Sequence, residues 1–279
     1  MSSNETLEEL RRQIDAIDDR VHDLLIERSG MIEQIVAAKR DGQAKLRPGR
    51  EALIARRLVG RHRGRFPQAS LIRIWREIIN AFTCMQGPFE IAVPEPAVDT
   101  PVWEATRDYF GGTPTRRPVP SAGAALAAVA NGEATLAMLP WGAGASAWVG
   151  ELLRLGDPGL RVCYGLPFVR GIGEATIAVA IGRVAAEPTG SDRGVVAIEA
   201  PGKQPVEAVL AAADLDPVAL WPGEGASAGW WLAEIAGAVE TGDPRLERAA
   251  VEAGAGRVAA LGTYAEPIVL GRASEGPTR

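Results

Sequence analysis

From Leu7 to Ala38 an apolar residue recurs at alternating steps of three and four: Leu7, Leu10, Ile14, Ile17, Val21, Leu24, Met31, Ile35 and Ala38. That period lays a stripe along one face of an α-helix, and four heptads of it describe a long helix packed along its length on other helices. The rhythm breaks once, at Arg28, where a charge stands in the place of an apolar residue. A guanidinium in such a seam has to be ion-paired, solvated in a cavity, or waiting for an anion. Thr6 and Glu9 form a capping box ahead of Leu7, and Asp41-Gly42 supplies a stop, so one helix over about 7–40 is expected. At ~1.5 Å per residue it is roughly 50 Å long.

Two shorter helices follow from the same spacing. One runs from Arg50 to about Arg61 with Leu53, Ile54 and Leu58 inward. The other runs from Gln68 to about Gln86 with Leu71, Ile74, Trp75, Ile78, Phe82 and Met85 inward. They are too short to cover the first helix, so a second copy of the chain is expected to shield its exposed seam. Charge divides the chain at the same place. Residues 1–88 hold 16 Lys and Arg against 12 Asp and Glu (+4), and the remainder holds 14 against 23 (−9). A basic head on an acidic body places an anionic ligand at the head. Cys84 and Cys163 are far apart, and His22 and His62 have no partner at ligand spacing, so neither a disulfide framework nor a metal site is indicated. The acidic, polar start has no leader-like pattern and no apolar run reaches eighteen residues, which leads to the expectation of a cytoplasmic protein without a membrane span. Arg61, Arg63 and Arg65 make a small basic cluster, but no nucleic-acid-binding pattern accompanies it.

Beyond Gly87 strands and helices alternate. Strands are expected at 89–93, 134–139, 161–166 and 175–181, and helices at 102–110, 121–130 and 148–155. This is an α/β lobe over 89–187. After a linker at Pro188–Asp192, the order strand 194–199, helix 205–213, strands 218–221 and 230–236, helix 245–254 and strand 258–264 is the ferredoxin-like βαββαβ order, over 193–270. Residues 271–279 read as a disordered tail. The expected architecture is therefore multidomain, α followed by α/β.

Within the head, Arg11, Arg28, Lys39, Arg50, Glu51 and Gln86 fall on or beside the core-facing positions. Several cations and one amide there exceed what stability needs, and they describe a pocket for a small dianion. Lys39 lies 11 positions after Arg28, close to three turns, so both point to one face. Arg11 and Arg28, 17 positions apart, are separated by roughly 25 Å on one helix. If both hold one small ligand, Arg11 comes from a partner chain.

Leu10-Arg11-Arg12-Gln13-Ile14-Asp15-Ala16-Ile17-Asp18, Leu24-Leu25-Ile26-Glu27-Arg28, Ala37-Ala38-Lys39 and Arg47-Pro48-Gly49-Arg50-Glu51, with Ile78-Ile79 and Gln86, together resemble the all-helical (type II) chorismate mutases over nearly all of residues 7–88. The resemblance implies an intertwined three-helix dimer that rearranges chorismate to prephenate in aromatic amino-acid synthesis, with no cofactor. It implies that Arg28 and the partner chain's Arg11 hold the two carboxylates, that Lys39 and Gln86 donate to the ether oxygen, that Glu51 takes the ring hydroxyl, and that Arg50 supports the carboxylate side. Two positions depart from the family: Arg47-Pro48-Gly49 where many members carry an acid, and Phe82 where some carry a small hydroxyl residue. Arg47 is retained as a substrate-side cation.

Residues 89–187 resemble a degenerate prephenate dehydratase. Pro140 is followed by Trp141-Gly142-Ala143 where that family has Ile-Glu-Asn, and the Thr-Arg-Phe strand falls near Ala175-Thr176-Ile177 without its Arg. The stretch from Leu160 to Ala175 leaves no room for the second lobe, so loss of dehydratase activity is expected. Val195 to Tyr264 resembles an ACT domain, either regulatory or retained for assembly. Two other functions stay open for the head: an isochorismate–pyruvate lyase, and a non-catalytic regulatory subunit that binds chorismate or prephenate.

Overall fold

The computed structural model describes residues 3–38, 45–98, 100–142, 146–185, 187–200, 203–224, 227–252 and 257–270. A helical N-terminal region precedes a large mixed α/β sheet region. α1 (Ser3–Ala38), α2 (Pro48–Arg61) and α3 (Gln68–Cys84) form the first. α1 begins a turn ahead of the Thr6 capping box. The apolar stripe of α1 is uncovered in the single chain: Leu7, Leu10, Ile14, Ile17, Val21, Leu24, Met31 and Ile35 are 45–61% exposed.

α2 and α3 differ, because they lie on the body. The buried faces are rotated from those expected. α2 buries Glu51, Ala52, Ala55 and Leu58, while Leu53 is exposed. α3 buries Ile72, Arg76, Ile79, Asn80, Phe82 and Thr83, while Ile74 and Met85 are exposed. Of the residues expected inward, Leu58 and Phe82 are buried and Ile54, Leu71 and Trp75 pack against the core, so the face taken by the body overlaps in part the one the three-and-four count chose.

The body contains β1 (Glu90–Pro94), α4 (Pro101–Phe110), β2 (Thr115–Val119), α5 (Ala122–Ala130), β3 (Leu136–Pro140), α6 (Ser146–Leu155), β4 (Arg161–Leu166), β5 (Val169–Gly171) and β6 (Ala178–Gly182). It continues with β7 (Asp192–Glu199), α7 (Lys203–Ala212), β8 (Pro217–Pro222), β9 (Trp230–Ala236), α8 (Pro244–Glu252), β10 (Val258–Ala265) and β11 (Ile268–Leu270). Nine strands form one sheet in the order β2-β1-β3-β6-β4-β10-β7-β9-β8, and β11 pairs with β5 apart from it. The sheet runs unbroken past Pro188–Asp192. Strand residues alternate between two cores: Ile91, Val93, Leu136 and Met138 face α2, α3 and α4, whereas Ala92, Ala137 and Leu139 face α5 and α6. That alternation is the period of two of a sheet buried on both faces. Beyond the β4–β10 seam a third core, with Val196, Ile198, Ala233 and Ile235, lies under α7 and α8.

The two halves of the sheet meet at one paired position, Gly262 with Val162. Gly262 has φ +138°, and a Cβ there would collide with the Val162 backbone. Gly262→Ala is expected to destabilise the protein by about 1–3 kcal/mol from backbone strain alone, read as a lower midpoint in urea unfolding.

Candidate active site

Arg28 is half-buried and reaches from α1 to α3. Its guanidinium stacks on the Phe82 ring, 4.3 Å from the centroid, an attraction between cation and ring face that fixes the side chain's plane. Its Nη1 is buried and has no hydrogen-bond partner among the described residues. Partial desolvation, followed by repulsion from Arg50, lowers its pKa below the ordinary arginine value, yet an arginine stays charged near neutrality. One turn beyond Phe82, the Gln86 amide donates to the Phe82 carbonyl at 3.2 Å. Two neighbouring cations and a desolvated, unpaired N–H make a place where an anion is favoured.

The other expected residues lie elsewhere. Glu51, 5% exposed, faces the body rather than Arg28. Its Oε2 accepts from Nη1 and Nη2 of Arg76, both at 2.9 Å, and the Tyr164 hydroxyl lies 3.2 Å from both carboxylate oxygens. The physical reason is Arg76, 3% exposed, whose buried charge needs a counter-ion. The Arg76 guanidinium also lies over the Tyr109 ring at 3.6 Å, and its Nε donates to the Tyr109 carbonyl near the C-terminus of α4. Arg47 points to the body as well, paired with Glu187 at 2.6 Å. Glu187 in turn accepts from the Arg50 backbone N–H at 3.2 Å, capping α2 where Arg47 provides no side-chain cap. Arg11 pairs with Glu8 on the exposed side of α1, and Lys39 lies outside the described residues. The single chain therefore brings Arg28 and Arg50 together. It turns Glu51 and Arg47 into the junction with the body, and it leaves Arg11 in solvent.

Several residues of this region were not singled out from the sequence. Arg76 falls four positions after Ile72 and three before Ile79, a charge in an apolar stripe like Arg28, so the same signal was available on α3. Arg56 donates to Thr189 Oγ1 and to the Ser191 and Glu266 carbonyls at 2.7–2.8 Å. It pins the segment expected to be a linker, and nothing local in the sequence announces such long-range bonds. Phe82, noted as a departure, is the platform under Arg28.

Residues 10–87 match the chorismate mutase type II family. Among curated relatives, a bifunctional chorismate mutase/prephenate dehydratase of Aquifex aeolicus is 32% identical over 112 residues, covering 38% of this chain and 31% of that protein. One of Stutzerimonas stutzeri is 25% identical over 146 residues, covering 50% of this chain and 40% of that protein. The chain thus spans less than half the length of these curated relatives. Among solved structures, one described as GqqA, a novel type of quorum quenching acylase, aligns with TM-score 0.46 at 21% identity, over 64% of this chain and 96% of that one. Prephenate dehydratase from Streptococcus mutans aligns with TM-score 0.42 at 14% identity, over 65% of this chain and all of that one. The N-terminal segment, residues 10–87, is thus similar to the chorismate mutase type II family, and it stands ahead of an α/β body.

Proposed function

We propose that the chain rearranges chorismate to prephenate in aromatic amino-acid synthesis, in a site shared between two copies. The observation that carries this reading is the Arg28–Arg50 pair with its unpaired, desolvated Nη1 on Phe82, within a segment that matches the mutase family. Chorismate carries two carboxylates. Arg28, with Arg50 beside it, holds one, and the partner chain's Arg11 holds the other. The uncovered stripe of α1 supports the homodimer that this requires. As the ether C–O bond breaks and the new C–C bond forms, negative charge grows on the ether oxygen, and Lys39 and Gln86 donate to it. Catalysis is positioning of the reactive conformer plus donors aimed in advance at that charge, so no general base is called for. Glu51 contributes by locking the rotation of α2, and thereby the placing of Arg50. Arg47 adds positive potential at the start of α2.

In the body, residues 89–187 read as a dehydratase-like lobe without its activity, supported by the missing Arg beside Thr176. Residues 193–270 read as an ACT-like, ferredoxin-like unit, supported by the antiparallel order β10-β7-β9-β8 with α7 and α8 on one face. The test is purified chain with chorismate, following its absorbance loss and identifying the product. Prephenate that accumulates without phenylpyruvate supports the reading. Pyruvate would mark a lyase, and no turnover would leave a binding role only; either result overturns it.

A further inference from the structure

α3 and α4 run past each other without closing, and leave a groove of about 320 Å³, inside the ~300–1,000 Å³ typical of small-molecule sites. Its lining includes the small residues Ala69 on α3 and Ala105 on α4. Ile72 and Phe168, both buried, with Ile177, make an apolar floor wide enough for one side chain. The charges are arranged by wall. α3 presents Arg73 and Arg76, and α4 presents Glu104 and Asp108. Arg76 is committed to Glu51, and Glu104 pairs along its own helix with Arg107. Among the described residues, Arg73 and Asp108 form the ion pair that spans the groove, at 3.0 Å and largely exposed. An exposed pair of this kind contributes little and opens readily.

We propose that this groove binds a free α-amino acid with an apolar side chain of about leucine size. Its carboxylate replaces Asp108 on Arg73, its ammonium replaces Arg73 on Asp108, and its side chain lies on Ile72, Phe168 and Ile177. The balanced wall charges favour a zwitterion held across the groove and disfavour a dianion, for which Glu104 and Asp108 are repulsive. The site is distinct from the Arg28 pocket, and the proposal does not depend on the reaction assigned there. An occupant would clamp α3 of the mutase domain to α4 of the body.

The test is calorimetric titration of the full chain with L-leucine, with 4-methylpentanoate, which lacks the amine, and with 3-methylbutylamine, which lacks the carboxylate. Leucine is expected to bind at millimolar concentration or below, and each analogue about tenfold more weakly. Ala69→Leu, on an exposed helix position, fills the groove and is expected to abolish binding while circular dichroism is unchanged. Arg73→Ala is expected to weaken it about tenfold. Absence of leucine binding at millimolar concentration, leucine binding that survives both substitutions, or 4-methylpentanoate binding as tightly as leucine would each overturn the proposal.

Discussion

Glu51→Leu is expected to lower the unfolding free energy by about 3–5 kcal/mol in urea, the cost of leaving a buried charge without its partner. The charge left behind is Arg76, held at 3% exposure, where little water is in place to substitute for the carboxylate. Tyr164 loses its partner at the same time, adding an unsatisfied hydroxyl. Two controls separate the buried-charge account from simple loss of packing. Arg76→Met together with Glu51→Leu is expected to recover most of the loss, since an apolar pair of similar volume is often as stable as the ion pair. Tyr164→Phe alone removes one donor to the carboxylate and is expected to cost about 1.5–3 kcal/mol, less than the loss of the charge itself. A Glu51→Leu variant within about 0.5 kcal/mol of the parent, the range of an ordinary surface change, would show that Glu51 is not locked in the junction.

Lys39→Ala is expected to act on rate rather than stability. If Lys39 donates to the ether oxygen as charge develops there, its loss reduces kcat by about 10²–10³, the usual effect of deleting one donor to a developing oxyanion. KM for chorismate changes less, because the contact strengthens only in the transition state. Arg28→Lys tests the other half of the site. A lysine keeps the charge but loses the planar fork and the stacking on Phe82, so the expected effect is a raised KM. The pair of substitutions distinguishes the donor from the anchor, since the first moves kcat and the second moves KM.

Local pattern made most of the elements legible. The three-and-four spacing located α1, α2 and α3 to within a turn, and the strand–helix alternation located α4, α5 and β4 within one or two residues. Ser121, placed inside the expected helix, instead caps α5, accepting from the Ala124 N–H. β2 escaped notice because Thr115-Arg-Arg-Pro-Val119 is polar and holds a proline, which an edge strand tolerates. The joining of the sheet across β4 and β10 was not readable either, since it rests on Gly262 meeting Val162 a hundred residues away in sequence. In the site, Arg28 was legible as a charge in a stripe. The orientation of Glu51 was not, because a glutamate beside an arginine looks the same whether it faces a ligand or a buried Arg76. Helix period fixes which residues share a face, but not which of two apolar faces the rest of the chain will cover.

The claim that one site is built from two chains is tested most directly by mixing two inactive variants. Arg11→Ala and Lys39→Ala are each expected to show little turnover alone. Unfolded together and refolded as an equimolar mixture, half of the dimers are mixed, and each mixed dimer holds one site free of both substitutions. Activity should therefore return to about a quarter of the parent value, as random pairing of a two-fold dimer requires. A mixture no more active than its components would contradict the shared site, and with it the account of Arg11 and Arg28 as the two ends of one anion pocket.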